Sequence, residues 1–184
     1  SLSTYTLAAI PISLPQLDVQ MTSATVAFGT NGNPNGTVFY TEASLNNFAS
    51  VAASSNTLLN QALLTGLSTN TFTQARVRTA NGNGVYTAWV TLPSTYTLAG
   101  APGVPATPFT QIFPSSVTVN WVTTLNPAYT SYYVEISTDS SFAVSSQTAG
   151  WSTFSSNNFI NLVSGPTYYA RARARNENLA PSAW

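Results

Sequence analysis

The sequence predicts an all-β fold of two small sandwiches in tandem, and three observations carry that prediction. The first is a long internal repeat. Ser3-Thr4-Tyr5-Thr6-Leu7-Ala8 returns as Ser94-Thr95-Tyr96-Thr97-Leu98-Ala99, 91 residues later. Ser23-Ala24-Thr25-Val26-Ala27-Phe28 aligns with Ser116-Val117-Thr118-Val119-Asn120-Trp121 at an offset of 93. Asn33-Pro34 and Tyr40-Thr41-Glu42 keep that offset with Asn126-Pro127 and Tyr133-Val134-Glu135. Leu67, Arg76-Val77-Arg78 and Trp89 match Leu162, Arg171-Ala172-Arg173 and Trp184 at 95. An offset that only creeps upward is a tandem duplication with loop insertions of one or two residues. The second observation is period two inside each repeat, the signature of half-buried strands. The third is the lack of any capped i, i+3, i+4, i+7 stripe, with turn residues at every break in the alternation.

Taken in chain order, residues 1–9 read as the strand remnant of a preceding repeat, and residues 10–99 as the first sandwich. Its strand 23–28 ends at Asn31-Gly32-Asn33-Pro34 and Asn35-Gly36, which are turn sequences. A strand around Tyr40-Thr41-Glu42 runs to Asn46-Asn47-Phe48, expected to be a turn that anchors Phe48 in the core. Residues 58–67 come nearest to a helical pattern, but their counterparts 153–162 read as strand. Residues 75–78 form the next strand, Asn81-Gly82-Asn83-Gly84 a turn, and residues 90–99 form or extend the last strand. Gly100-Ala101-Pro102-Gly103-Val104-Pro105 has no periodicity and two prolines, and it reads as a short stiff linker. Residues 100–184 are the second sandwich, its last strand incomplete. Val117, Val119 and Trp121 alternate with polar neighbours, as do Tyr132, Val134 and Ile136. Asp139-Ser140-Ser141-Phe142 should be a turn anchoring Phe142, and Ser164-Gly165-Pro166 another turn. Tyr168, Ala170, Ala172 and Ala174 then face inward, between Tyr169, Arg171, Arg173 and Arg175.

Composition removes whole classes of chemistry. Of the 184 residues 43% are hydrophobic and only 5% charged, while Ser, Thr and Asn together supply 67. With no His there is no imidazole base, and with neither His nor Cys no zinc site of the usual kind. All five cations are Arg, so no Lys can form a Schiff base or an isopeptide bond. A net charge of zero without a basic run argues against nucleic acid. No apolar run approaches the roughly 18–20 residues of a membrane span. Ser1 is expected to be a processed end or an arbitrary cut. Lack of Cys leaves the redox compartment open. The Ser/Thr/Asn-rich, Lys-free surface points to an extracellular or cell-surface setting.

Across both repeats the order of motifs resembles tandem fibronectin type III domains of bacterial extracellular or surface repeat proteins. That resemblance implies immunoglobulin-like β-sandwiches. Pro105-Ala106-Thr107-Pro108-Phe109 resembles the family's opening strand, and residues 116–121 the strand whose Trp fills the core. Residues 132–137 resemble the third strand. Leu162 and Tyr168 resemble the Leu and Tyr that brace the corner before the sixth, and residues 168–176 that strand itself. In the first repeat Phe28 stands where Trp is expected and Thr73 where the corner Tyr belongs, while Leu67 and residues 75–78 still fit. The core thus implied comprises Trp121, Phe28, Tyr168, Leu67 and Leu162. The family's domains serve as spacers, adhesion modules and accessory units of carbohydrate-active enzymes, and fold alone selects none of these.

Candidate chemistry is sparse, and no catalytic, cofactor-binding or metal-binding residue is assigned. A glycosidase needs two facing carboxyls, but Glu42 and Glu135 hold the same position in separate repeats. They are expected instead to form cross-strand pairs, Glu42 with Arg76 or Arg78 and Glu135 with Arg171 or Arg173, at about 0.2–1 kcal/mol each. Tyr133 and Tyr169 lie on polar faces, where aromatics can stack sugars or simply cover Arg stems. Asp139 among hydroxyls makes a poor calcium site. Asn35-Gly36-Thr37 fits the glycosylation acceptor pattern and equally an ordinary turn. An outer-membrane barrel also alternates and often ends on an aromatic residue, but a 91–95-residue repeat with a Pro-rich linker does not suit a closed barrel. The function expected is a non-catalytic structural or adhesive module, its partners other copies or neighbouring repeats arranged head-to-tail. The alternative is a carbohydrate-binding or spacer module of a larger secreted hydrolase, with a glycan or cell-surface ligand. In the repeat scheme, residues 1–8 correspond to the strand segment that would continue the chain beyond Trp184. Ser3, Tyr5 and Leu7 are therefore expected beside Trp184 of a neighbouring copy, or continuous with it.

Overall fold

The computed structural model describes residues 2–16, 18–144 and 147–184 and divides into two units, Ser1–Thr97 and Leu98–Trp184. Among the described residues there are strands and turns but no helix. In the first unit β3 (Ser23–Gly29) pairs with β1 (Ile12–Ser13), β2 (Asp18–Val19) and β6 (Gln61–Thr65). The second sheet runs β5 (Ala53–Thr57), β4 (Phe39–Ser44), β7 (Phe72–Thr79), β8 (Val90–Tyr96), all antiparallel. Every other residue of these strands turns inward, as the pleat requires. Ala24, Val26 and Phe28 of β3 meet Leu64 of β6, Phe39 of β4, Val77 of β7 and Leu92 of β8 in one core. Phe28 is fully buried, its ring 5.1 Å from that of Phe39. Residues 58–67, the nearest approach to a helix in the sequence, contain β6. Ala62 and Leu64 are buried there while Leu63 is exposed, an alternation no helix face could satisfy.

The second unit repeats this plan with two strands fewer among its described residues. One sheet is β13 (Ser156–Ile160), β10 (Ser116–Asn120), β9 (Phe109–Phe113); the other is β12 (Gln147–Ser152), β11 (Ser131–Ser137), β14 (Tyr169–Arg175). Trp121 is 6% exposed within a core of Val117, Val119, Tyr132, Val134, Ile136, Phe159 and Ala174. In the first unit β8 covers the outer edge of β7. No described strand pairs with the corresponding edge of β14. The burial shows the difference. Ala75 and Val77 of β7 are buried, whereas their counterparts Ala170 and Ala172 are only half-buried. Tyr168 and Leu162, expected in the core, are half-buried and packed against it.

Several sequence expectations are corrected by local packing. The boundary between the units falls at Thr97/Leu98 instead of 99/100. Thr97 is fully buried in the first unit, and Ala99 belongs to the second core. The stretch expected to be a linker is docked: Gly103 exchanges both backbone hydrogen bonds with Val122, at 2.9 and 2.8 Å. The opening strand of the second unit starts at Phe109, because three prolines between 102 and 108 remove ladder donors before it. Residues 2–9, expected as a strand remnant, form no strand. Ser1 lies outside the described residues. Phe48 and Phe142 do not anchor the core; both stand half-buried outside it.

The corner before the sixth strand is built differently in the two units. Tyr168 Oη accepts the Val163 N–H at 3.0 Å and donates to the Val163 carbonyl at 3.3 Å. The first unit has Thr73 at that position, and Thr97 supplies the hydroxyl instead. Its Oγ1 donates to the Ser68 carbonyl at 2.6 Å and accepts the Thr71 N–H at 3.0 Å. A buried hydroxyl so placed satisfies two backbone groups of the corner at once.

Candidate functional site

The described carboxylates do not face one another across any cleft. Arg76 donates to Glu42 through Nε at 2.9 Å and Nη2 at 2.6 Å, and Arg171 donates to the buried Glu135. The register sets both pairs, since Glu42 lies opposite Arg76 and Glu135 opposite Arg171. Asp18 accepts from the Gln20 side chain. Asp139 closes its own turn, accepting from the Ser141 hydroxyl and the N–H groups of Ser141 and Ala143. Those bonds, the Ser141 hydroxyl first, hold its carboxyl below the usual carboxylate range. Among the described residues no three acidic, His or Cys side chains gather as a metal site.

The cations build the most ordered polar feature of each unit, a ladder of guanidinium groups and rings. Arg76 lies 4.1 Å from the centre of the Phe48 ring and 4.2 Å from that of Trp89. Arg78 comes next, 4.3 Å from Trp89 and 3.9 Å from Tyr86, whose ring meets Tyr40 edge-on at 5.1 Å. A hydrogen bond with Tyr86, and then burial, hold the Tyr40 hydroxyl above its ordinary range. The second unit repeats the order: Phe142, Arg171, Trp184, Arg173, then Tyr133 and Trp151, with Arg175 4.4 Å from Trp151. Each such contact contributes roughly 0.5–1 kcal/mol at an exposed site.

Local sequence fixes the ends of each ladder. Phe48 and Phe142 adopt φ of 61° and 56°, costly for a side chain this large. In the first unit Ser44 Oγ holds the turn by accepting the N–H groups of Asn46 and Phe48. In the second, Ser137 and Asp139 do the equivalent work. At the other end Asn81 Oδ1 accepts the N–H groups of Asn83 and Val85, and Asn176 Oδ1 that of Ala180. These loops deliver Trp89 and Trp184 onto their arginines. Sequence reasoning misses the ladder, although Arg-x-Arg with a Trp at matching distance in both repeats is its signal.

A second repeated device escapes the sequence in the same way. Asn33 Oδ1 accepts the Ala9 N–H at 2.9 Å while its Nδ2 donates to the Ala9 carbonyl at 2.8 Å. Asn126 does the same to Gly100, at 2.7 and 2.8 Å. Each unit thus clamps one residue of the segment entering it, just past the repeated Ser-Thr-Tyr-Thr-Leu-Ala. The type I′-like turn Asn31-Gly32, with φ of 53° and 79°, presents the first clamp. Upstream of it Asn81 Nδ2 donates to the Thr6 carbonyl and Asn83 Nδ2 to Thr4 Oγ1. The Tyr5 ring lies so close over Gly82 that a Cβ there would sit 2.4 Å from it. Ser3, Tyr5 and Leu7, expected from sequence to be assembly residues, are exposed in the first unit; Trp184 is in the ladder of the second.

The open edge of β14 borders a cleft of about 450 Å³ within the second unit. Phe109, Trp121, Tyr168, Ala170, Ala172 and Trp184 line it. The indole N–H of Trp121 is buried without a hydrogen-bond partner among the described residues.

Comparison with solved structures decides the fold. A two-domain fibronectin type III segment of chicken tenascin superposes with a TM-score of 0.59 over 95% of each chain, at 16% identity. Each unit has the fibronectin type III fold. The chain is also similar to the FN1–FN3 segment of chicken CNTN1, at 14% identity and a TM-score of 0.39, covering 94% of this chain and 65% of that one. No protein-family model and no curated protein matches the sequence. At these identities the fibronectin type III likeness concerns the fold. No helix of the described residues is long and apolar enough to cross a membrane.

Proposed function

We propose that this chain is a non-catalytic structural or adhesive repeat module of an extracellular protein. It works as a segment of a head-to-tail fibre or surface array of like sandwiches. The repeated Asn clamp carries this reading. Both units hold the residue just past Ser-Thr-Tyr-Thr-Leu-Ala by the same pair of hydrogen bonds. In the first unit the second copy of that hexapeptide supplies the end of β8 and the corner hydroxyl of Thr97. A segment that finishes one sandwich and is gripped by the next is the connector of a repeating array. Its partners are accordingly other copies or neighbouring repeats. Zero net charge removes long-range repulsion between copies. Exposed Ile112, Phe113, Ile160 and Val163 add apolar surface for association. An antibody against the chain, applied to intact source cells, should decorate extended surface material visible by electron microscopy. Labelling confined to the cytoplasm overturns the proposal.

A second reading, a carbohydrate-binding module of a larger secreted hydrolase, draws on Tyr133, Trp151 and Trp184 clustered on one face. Guanidinium groups already cover those rings at 4.1–5.6 Å, which leaves little free face for a sugar to stack upon. Titration of the Trp fluorescence with soluble glycans should give no saturable change.

A further inference from the structure

We infer that Asn35-Gly36 is a modification site, the Asn-Gly pair that the fold leaves open to spontaneous conversion into aspartyl and isoaspartyl residues. The chemistry needs no enzyme, oxidant or cofactor. The Gly backbone nitrogen, once deprotonated, attacks the side-chain Cγ of the Asn before it. A C–N bond closes a succinimide ring, and the side-chain nitrogen leaves as ammonia. Water then adds to either ring carbonyl and opens it, so one water enters for each ammonia released. One opening restores the ordinary backbone with a carboxylate side chain; the other routes the backbone through the side-chain carbon. Gly favours the step because no Cβ crowds the attacking nitrogen.

Four Asn-Gly pairs occur in the sequence, all in the first unit, and the fold holds them differently. Asn81 is fixed at both ends of its amide. Its Oδ1 accepts the N–H groups of Asn83 and Val85, and its Nδ2 donates to the Thr6 carbonyl. Asn83 Nδ2 donates to Thr4 Oγ1, and the Gly84 N–H that would attack it donates to the Asn81 carbonyl at 2.9 Å. Asn31 Nδ2 donates to the Ile10 carbonyl at 2.9 Å from a turn in which Asn31 has φ of 53°. Asn35 is exposed, and neither its amide nor the Gly36 N–H has a hydrogen-bond partner among the described residues. Its turn is tied across the ends, where Thr37 donates to the Pro34 carbonyl through N–H at 3.2 Å and Oγ1 at 2.8 Å. Gly36 stands at φ of 90°, and a Cβ there would meet nothing within 4 Å. The peptide unit between Asn35 and Gly36 is thus free to rotate toward the Asn35 side chain. At the other three pairs a hydrogen bond must break first, which slows ring closure by up to about tenfold each. The product puts a carboxylate on a cleft of about 490 Å³ that Tyr5, Asn33 and Tyr40 also line and no charged described residue does. It takes the chain from zero net charge to a single negative charge.

The inference does not depend on the array reading, because one turn of the first unit sets the reaction. In the test, the purified full chain is incubated in mildly alkaline buffer, natively and in urea, and digested with chymotrypsin at intervals. Mass spectrometry with electron-transfer fragmentation locates each exchange of NH for oxygen and separates aspartyl from isoaspartyl products. In the native chain Asn35 is expected to convert at least about tenfold faster than Asn31, Asn81 or Asn83. In urea the four should convert at comparable rates, because only the fold distinguishes them. Native conversion should slow in mildly acidic buffer, where the attacking nitrogen keeps its proton. Asn35→Gln should abolish the first acidic species seen on isoelectric focusing and leave Tm unchanged, because the Asn35 amide holds nothing. Conversion of another Asn-Gly pair first, equal native rates at all four, or an Asn35 that stays intact in the native chain while converting in urea overturns the inference.

Discussion

Trp121 and Phe28 hold the same place in the two cores and differ by a ring and a polar atom. Trp121 fills more volume but buries an N–H without a partner among the described residues. Truncation to Ala should cost the second unit about 3–5 kcal/mol, the usual range for an aromatic residue in a core. Trp121→Phe removes the unpaired N–H along with the volume, so its cost should stay below about 1.5 kcal/mol. Urea denaturation of the two variants, followed by far-UV circular dichroism, checks the contrast. Asp139 makes a prediction of opposite character, because it is exposed and its effect is electrostatic. Its carboxyl titrates lower in the folded chain than its ordinary value near 4. Its ionised form therefore stabilises the turn fully above that value, and the contribution is lost as pH falls through the lowered folded pKa. Asp139→Asn should thus lower Tm at neutral pH, and the gap to the parent chain should close as the pH drops below about 4. A gap that widens on acidification would contradict the assignment of that turn.

At the scale of elements, Thr97 shows how one residue can complete a strand and a corner together. Thr97→Val preserves the shape and removes the hydroxyl that serves the Ser68 carbonyl and the Thr71 N–H. The first unit should lose about 1–3 kcal/mol, the cost of stranding buried backbone groups. Thermal melts of the single variant check it. The strands are largely legible in the sequence because alternation is a local signal, and β7, β10, β11 and β14 overlap the residues that alternate. The turn residues mark the breaks between them for the same reason. Sequence reasoning puts Phe48 and Phe142 in the core because nothing local distinguishes an inward ring from one lying under a guanidinium. Their left-handed φ is set by Ser44, Ser137 and Asp139, and positive φ at Phe is a tertiary decision. Residues 100–105 read as a linker because Pro and Gly announce irregular backbone, while the Gly103–Val122 pairing that docks it depends on a residue nineteen positions away. The Asn33 and Asn126 clamps have a signal, Asn-Pro repeated at one offset, but its target lies more than twenty residues upstream.

At the scale of the molecule, the described strands of the two sandwiches cover their cores to different extents, and that difference sets an order of stability in the 184-residue chain. The first unit closes its core with Leu92 from β8, and burying a Leu contributes roughly 1.5–3 kcal/mol. The second has no described strand in that place, so Ala170, Ala172 and Tyr168 keep partial contact with water. Only the end of β14 gains partners on that edge among the described residues, through the Arg175–Pro181 bridge and the Ser182 N–H to the Ala174 carbonyl. A small domain holds only about 0.05–0.15 kcal/mol per residue in total, so the contribution of one strand is a large share of the whole. The Arg171–Trp184–Arg173 stack offsets part of the loss, yet its rungs are worth only about 0.5–1 kcal/mol each. We therefore expect native-state hydrogen exchange of the 184-residue chain to find β10, β11 and β14 opening at lower free energy than β3, β4 and β7. Arg173→Met should lower the opening energy of β14 further, by about 1 kcal/mol, because it removes the cation from Tyr133, Trp151 and Trp184 together. If β3 and β7 exchange first, or if β14 is indifferent to Arg173→Met, then packing elsewhere in the second unit already compensates for the open edge.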